Sequence, residues 1–488
     1  MDTPATRKGL ILALLCMAQF MVVLDFAIVN VALPSIQRDL GLRQSTLQWV
    51  VIAYGLLLGG FLLLGGRLGD LLGRRRILLV GLTLFSSASL LAGLAQSAAL
   101  LIGARAIQGF GAALVAPSAL SILAVTFIEG RERNRALGIF GAVGGSSASV
   151  GVIASGLLTD GPGWRWIFFI NVPICLLLVA LAVRLLPADR VDAGARRYDA
   201  AGASTVTGGL LLLVYGLNRG VDHGWRSATT LAIFAGAAIL LALFVWVESQ
   251  SQAPLVPGIA LRNRTMVAAD LVTFLLFSAF YSFVFLGTLL MQQLLSYSPA
   301  RAGVAWLATS LTAFVGAGVA GARLVSSVGV RRLLVIGMSF LTVGALWMTR
   351  VPQGAGYLQH LLPAFLLVGI GLGLSAPTVQ IGALSGVADS TVGLASGLVE
   401  MMREIGGAVG VTAVSTVLVT RTGDASQSAL ATAREAAAID GFRSAFIVIV
   451  ILAAAGVILS GIAFPRATER VQALPDEEAV LSEARAAD

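Results

Sequence analysis

An all-α polytopic membrane protein of fourteen transmembrane helices is the fold class this sequence predicts, with two pseudo-symmetric six-helix bundles and two extra helices between them. Three observations carry the prediction. Of 488 residues, 57% are hydrophobic and only 12% are charged. A soluble domain carries about 25% charged residues, so this chain could not cover a water-facing surface. The apolar residues also fall in runs of about 20, the length that crosses roughly 30 Å of hydrocarbon as a helix. Finally, stretches of the first half recur in the second, in the same order.

The runs lie near 9–31, 47–66, 77–96, 99–124, 136–158, 166–186, 202–218, 229–247, 267–290, 302–321, 333–350, 359–379, 393–419 and 442–464. The first opens like a signal peptide ("RKGLILALLCMAQFMVVLDF") but lacks a small-residue cleavage site. It continues past Asp25 to Pro34, so it reads as a retained span. Orientation follows from the basic residues. With the N-terminus in the cytosol, the inner loops collect Arg7, Lys8, Arg67, Arg74, Arg75, Arg76, Arg131, Arg133, Arg135, Arg184, Arg190, Arg196, Arg197, Arg262, Arg264, Arg323, Arg331 and Arg332. Both termini are then cytosolic in a protein of the cytoplasmic membrane. The organisation expected is a first bundle over 1–186, a linker with two extra spans over 187–264, a second bundle over 265–465 and a polar cytosolic tail over 466–488.

The repeat is specific. "GGRLGDLLGRRRIL" from Gly65 and "GARLVSSVGVRRLL" from Gly321 share Gly, Arg and Leu positions at a constant offset of 256, with Ser326 in place of Asp70. "RAIQGFGAALVAPSAL" from Arg105 matches "FLLVGIGLGLSAPTVQ" from Phe365 at an offset of 260, aligning Gly109, Gly111, Ala116 and Pro117 with Gly369, Gly371, Ala376 and Pro377. Parallel halves around a midplane site are a recurring plan of secondary transporters.

Composition also excludes classes. The formal charge of +8 lies between apolar runs, which marks topology rather than nucleic-acid binding. No Lys follows Lys8, so a Walker-type phosphate loop is absent. Cys16 and Cys175 sit in apolar runs and predict no disulfide. His223 and His360 have no companion metal ligands. No nucleophile–base cluster suggests an enzyme, and no cofactor is implied.

Ionisable residues inside apolar runs cost about 2.5–3.5 kcal/mol each on insertion scales, so each needs a reason. Asp25 lies about 24 Å from the inner face at 1.5 Å per residue, and Arg105 on the antiparallel fourth span reaches a similar depth. They can pair, either as a fixed ion pair or as a proton-exchanging acid tuned by its arginine. In "LVEMMREIGG", Glu400 and Glu404 share a helix face beside Arg403. They form either an intrahelical network or a site for a cation or a proton. Asp270, near Arg262 and Arg264, reads as an interfacial pair. In the turn after span 2, Gly66, Gly69 and Gly73 suit tight turning, and the arginines suit headgroup level. Asp70 can pair with Arg67 or Arg74, or face the N-terminus of another helix.

These stretches carry a family likeness. "LDFAIVNVALP" from Leu24, "GRLGDLLGRRR" from Gly66, "RAIQGFGAAL" and "GWRWIFFINVPI" from Gly163 resemble the signatures of the fourteen-helix drug:proton antiporters of the major facilitator superfamily. The resemblance covers nearly the whole chain. It implies a major facilitator fold working as a monomer, with protons and a lipophilic or amphipathic small molecule exchanged across the bilayer and the proton gradient as energy source. It also implies that Gly66, Asp70, Gly73 and Arg74 latch the two halves on the cytosolic side. Proton coupling falls to Asp25, Arg105, Glu400 and Glu404. The cavity falls to Asn30, Trp49, Tyr54, Gln108, Phe277, Tyr281 and Arg403. Helix packing falls to Gly109, Gly111, Gly151 and Gly156. One departure stands out: "VGVIASG" has Val152 where antiporters carry Pro and Ser155 where they carry Gly. It keeps open a symporter or facilitator importing a nutrient.

Overall fold

The computed structural model describes residues 4–42, 44–188, 200–251, 254–256, 263–320, 324–352, 354–423 and 431–464. Arg190, Arg196, Arg197, Arg262, Gly321, Arg323 and the tail lie outside the described residues, as do the side chains of Asn30, Val152 and His223.

Every regular element among the described residues is helical. The first half runs α1 (Pro4–Leu40), α2 (Gln44–Leu72), α3 (Arg74–Gly93), α4 (Ala98–Thr126), α5 (Arg131–Asp160), α6 (Trp166–Phe169) and α7 (Asn171–Leu185). An antiparallel-looking pair follows, α8 (Ala200–His223) and α9 (Ala228–Gln250). The second half runs α10 (Arg264–Leu289), α11 (Pro299–Ala305), α12 (Leu307–Val319), α13 (Val325–Val328), α14 (Val330–Met348), α15 (Leu362–Leu384), α16 (Val392–Gly423) and α17 (Ala431–Ala463).

Among the described residues, twelve helical stretches are long and apolar enough to cross a membrane. The two expected spans outside that set are α5 and α8, and each has a physical reason. α5 is rich in Gly and Ser because it is enclosed by other helices. A Cβ on Gly151 would stand 3.0 Å from the Leu24 carbonyl of α1, and one on Gly141 would stand 3.3 Å from Pro377 of α15. Small residues let backbones approach, and a span shielded from lipid need not be strongly apolar. α8 has a shorter apolar stretch, 201–217, and lies against α2 and α16 on one flank and α9 on the other.

Two expected spans are broken. The sixth divides into α6 and α7 at Ile170, where Pro173 has no N–H for the Phe169 carbonyl. The tenth divides at Trp306, whose ring stacks on Phe365 at 4.2 Å and donates to Thr288 Oγ1 at 3.1 Å.

The sequence repeat is a repeat of contacts. Gly73 and Gly329 both take positive φ (102° and 86°) immediately before a helix, a conformation that favours glycine. A Cβ on Gly111 would lie 2.8 Å from the Phe85 amide nitrogen, and one on Gly371 would lie 2.8 Å from that of Leu341. Between the halves, α16 packs on α2 and α4, and α5 packs on α12 and α15.

Candidate functional site

Asp25 and Arg105 are wholly buried and paired, with Nη1 2.5 Å from Asp25 Oδ2. Three other helices, α2, α3 and α7, close around them. Gln108 and Asn171 each donate to Asp25 Oδ1, at 2.7 and 2.9 Å. Ser89 Oγ accepts from both amides, at 2.7 and 3.1 Å. Arg105 Nε donates to the Val50 carbonyl at 3.0 Å, and its guanidinium lies 4.2 Å from the Tyr54 ring centroid. Tyr54 donates its hydroxyl to the Val22 carbonyl at 3.0 Å, and Gly109 leaves room for the Tyr54 backbone. The local cause is spacing: Arg105 and Gln108 are one turn apart on α4, and Asn171 opens α7 at the break before Pro173. A buried pair with its spare lone pairs satisfied is the arrangement that offsets desolvation best.

The second cluster lies within one turn and a half of α16. Arg403 Nη1 stands 2.5 Å from Glu400 Oε2, and Nη2 stands 3.1 Å from Glu404 Oε1. Glu400 is fully buried, yet its approach to Arg403 lacks hydrogen-bond alignment and its Oε1 has no partner. An aromatic group from α10 adjoins it: the Phe277 and Tyr281 rings are 5.5 Å apart, and Arg403 lies 6.0 Å from the Phe277 ring. Gly407 accommodates the Tyr281 ring. Tyr54 lies within electrostatic reach of Asp25, Arg105, Arg403 and Glu404, members of both clusters.

The turn after α2 meets the second half. Asp70 Oδ1 accepts from the Gly393 N–H at 3.0 Å and Oδ2 from the Leu394 N–H at 2.9 Å, at the start of α16. Arg74 pairs with Asp70 at 3.0 Å and donates to the Asp389 carbonyl. A Cβ on Gly66 would strike the Gly393 carbonyl. A carboxylate at a helix N-terminus meets free N–H groups and the positive end of the dipole. The repeat copy makes a lesser contact, in which the Asn134 amide donates to Ser326 Oγ at 3.4 Å on the surface.

A model of the Major Facilitator Superfamily matches residues 15–411 and 270–486. The chain belongs to the major facilitator superfamily. It is 40% identical over 417 residues to the puromycin resistance protein pur8 of Streptomyces alboniger, covering 85% of this chain and 82% of that one. It is 37% identical to the cephamycin export protein CmcT of Amycolatopsis lactamdurans, covering 85% of each. The proton:xylose symporter XylE superposes with a TM-score of 0.64 at 14% identity over 93% of this chain and 95% of that one, which is a likeness of fold.

As a major facilitator, the protein is a multi-pass membrane transporter rather than an enzyme, and the sequence-derived residues can be placed within that frame. Asp25, Arg105, Gln108 and Tyr54 come together; Glu400, Arg403, Glu404, Phe277 and Tyr281 come together. Trp49 instead meets Tyr215 of α8, ring centroids 5.8 Å apart. Gly156 differs from its expected packing role: a Cβ there meets nothing within 4 Å. Its neighbour Ser155 makes the contact, donating to the Ile28 carbonyl at 2.6 Å. Ser89 and Asn171 were missed by sequence reasoning. A lone amide amid the apolar residues of "FFINVPI" was the available signal for Asn171, whereas Ser89 gave none. Asp270, expected at an interface near Arg262 and Arg264, is buried and makes no ion pair with Arg264, while Arg262 lies outside the described residues. Six residues set it about 120° around α10 from the exposed Arg264. Among the described residues, no group of three His, Cys, Asp or Glu could hold a metal.

Proposed function

We propose that this transporter exports lipophilic or amphipathic small molecules of the antibiotic class from the cytosol in exchange for protons. The relatives' names, puromycin resistance and cephamycin export, support the direction and the cargo class. The single structural observation that supports a proton site is Glu400, a fully buried carboxylate whose Oε1 has no partner, held beside Arg403 and Glu404. In this reading both termini are cytosolic in a cytoplasmic-membrane protein with fourteen crossings. Residues 1–186 and 265–465 are the moving halves, and 187–264 is the linker with its two helices.

The cycle follows from which end is shut. With Asp70 capping α16, the latch end is closed and the cavity faces outward. Protons reach Asp25, Glu400 and Glu404 from the acidic side. Their neutralisation loosens the hold of Arg105 and Arg403 and lets the halves rock. Opening of the latch end releases the protons to the cytosol and admits cargo among Tyr54, Phe277 and Tyr281. The functional unit is a monomer.

Inverted vesicles test this directly. Uptake of puromycin into acid-interior vesicles is expected, with loss on collapse of the pH gradient and loss in Asp25→Asn while puromycin binding persists. Accumulation that survives the collapse, or survives neutralisation of all three acids, refutes the coupling. Movement in the same direction as the proton would make the protein an importer.

A further inference from the structure

Asp270 belongs to neither cluster. It stands on α10, six residues after Arg264, with only 6% of its surface exposed. Its Oδ1 has no hydrogen-bond partner, and none of the ion pairs among the described residues includes it. Phe274 and Ser278, one and two turns further along the same stripe, meet Gly406 and Gly410 of α16. Ala269 stands 3.5 Å from where a Cβ on Gly382 of α15 would sit, and Phe464 at the end of α17 approaches the same glycine at 3.2 Å. Asp270 is therefore enclosed by α10, α15, α16 and the end of α17.

No described charge on those elements pairs with it: Arg264 of α10 and Arg421 at the far end of α16 are exposed, and Arg262 lies outside the described residues. α15 carries none. On α16, Glu400, Arg403 and Glu404 bind one another. On α17, Asp440 and Arg443 pair at the opposite end of the helix, and the side chains of Arg434 and Glu435 lie outside the described residues. α14 brings Arg331 and Arg332 to this end of the molecule, and neither pairs with Asp270. An ionised carboxylate enclosed without a cation is costly, whereas the uncharged acid is not.

Its position ties the group to the latch. Asn263 caps α10 and donates to the Ser385 carbonyl at 3.4 Å, four residues before Asp389, which receives Arg74. Asp270 is about 10 Å deeper at 1.5 Å per residue. Met266, one turn before it, is packed into an apolar cluster shared by both halves, with Leu62 and Leu63 of α2 and Leu394 and Leu398 of α16. Parting the halves at this end opens that cluster to water beside Asp270.

We propose that Asp270 is a proton-binding site of the latch end, holding a proton while α2 and α16 are joined and releasing it to water when that end opens. The step is a simple exchange: the O–H bond breaks, the carboxylate keeps the electron pair, and water or buffer on that side takes the proton. The site answers to the pH on the latch side alone and is independent of which way cargo moves. Acid on that side favours the shut state.

Spin labels at Arg131→Cys and Ala388→Cys, both exposed positions flanking the latch, report the shut fraction of the full chain in nanodiscs, with Cys16 and Cys175 replaced by Ser. Across about pH 5.5 to about pH 8.5 the shut-to-open ratio is expected to fall as pH rises, by up to about tenfold per pH unit for each linked proton. Asp270→Asn lowers that slope by one proton's share, the remainder belonging to the acids of the two central clusters. Asp270→Glu retains that share. The share persists when Glu400→Gln and Glu404→Gln are combined. A parental slope in Asp270→Asn overturns the proposal, as does a share lost equally in Asp270→Glu or lost in the double Gln variant with Asp270 intact.

Discussion

The two ion clusters at the centre of the molecule hold similar residues in opposite ways. In the first half, Asp25 is bonded by side chains from two other helices, and Arg105 reaches the backbone of a third. In the second half, Glu400, Arg403 and Glu404 lean on one another along a single helix, and Glu400 Oε1 is left bare. A network that crosses helices fixes their relative positions, so a change in its charge is felt by the whole bundle. A network within a helix can change its charge with little effect on packing. In the proposed cycle, the first cluster would couple charge to architecture and the second would accept a proton or cation.

The hardest way to break this contrast is to remove one member of the first pair. Asp25→Asn leaves Arg105 buried without its counter-charge. It is expected to cost about 3–5 kcal/mol of stability, read from unfolding in detergent, and to abolish gradient-driven efflux. Glu404→Gln leaves Arg403 its Glu400 partner; it should cost about 1 kcal/mol or less and move the pH profile of efflux instead. Equal losses in the two variants would dissolve the distinction.

The latch gives a parallel contrast between the repeats. Gly66→Ala sets a methyl against the Gly393 carbonyl and is expected to slow efflux on the order of tenfold at normal surface expression, because that end cannot close. Asp70→Asn weakens two charge-assisted bonds worth about 1.5–3 kcal/mol each and is expected to slow it roughly five- to tenfold. Ser326→Ala, at the repeat copy, should stay within about twofold. Unchanged transport in Asp70→Asn would end the case for the latch.

The smallest effect is expected at the opposite end. There Arg165 Nη1 and Trp164 Nε1 donate to Asp39 Oδ2 at 2.6 and 3.1 Å. The Arg165 bond first, then that from Trp164, holds this exposed carboxyl below its usual range. A lowered carboxyl stabilises above its ordinary value near 3.9 and loses that contribution as pH falls through its lowered value. Asp39→Asn should therefore unfold slightly more readily than the parent at neutral pH and match it in acid, below about pH 4, where the parent has lost the same contribution.

Much of this was legible in the sequence because each cue was one-dimensional. Apolar runs locate spans, and a fixed offset locates the repeat. The pairing of Asp25 with Arg105 needed only two depths along antiparallel helices. What stayed hidden depended on direction around a helix axis. Asp270 has an arginine nearby in sequence, but six residues turn it inward. Ser89 is one serine among several in "LFSSASLL", and nothing in that string says which one meets an amide. The sequence presents α5 as an apolar span, whereas its Gly and Ser content answers to neighbouring helices.

Acyl chains meet the two seams between the halves on unequal terms. α8 lies over the contact of α2 with α16 and carries α9 on its outer side, and Arg67 of α2 donates to the Pro254 carbonyl just after α9 at 3.3 Å. On the other flank, Leu311 and Val315 of α12 stand bare toward the hydrocarbon. Lateral pressure from the surrounding leaflets thus bears directly on one flank and reaches the other only through a hairpin, so bilayer thickness and tension can bias a rocking motion that the internal duplication alone would leave even-handed.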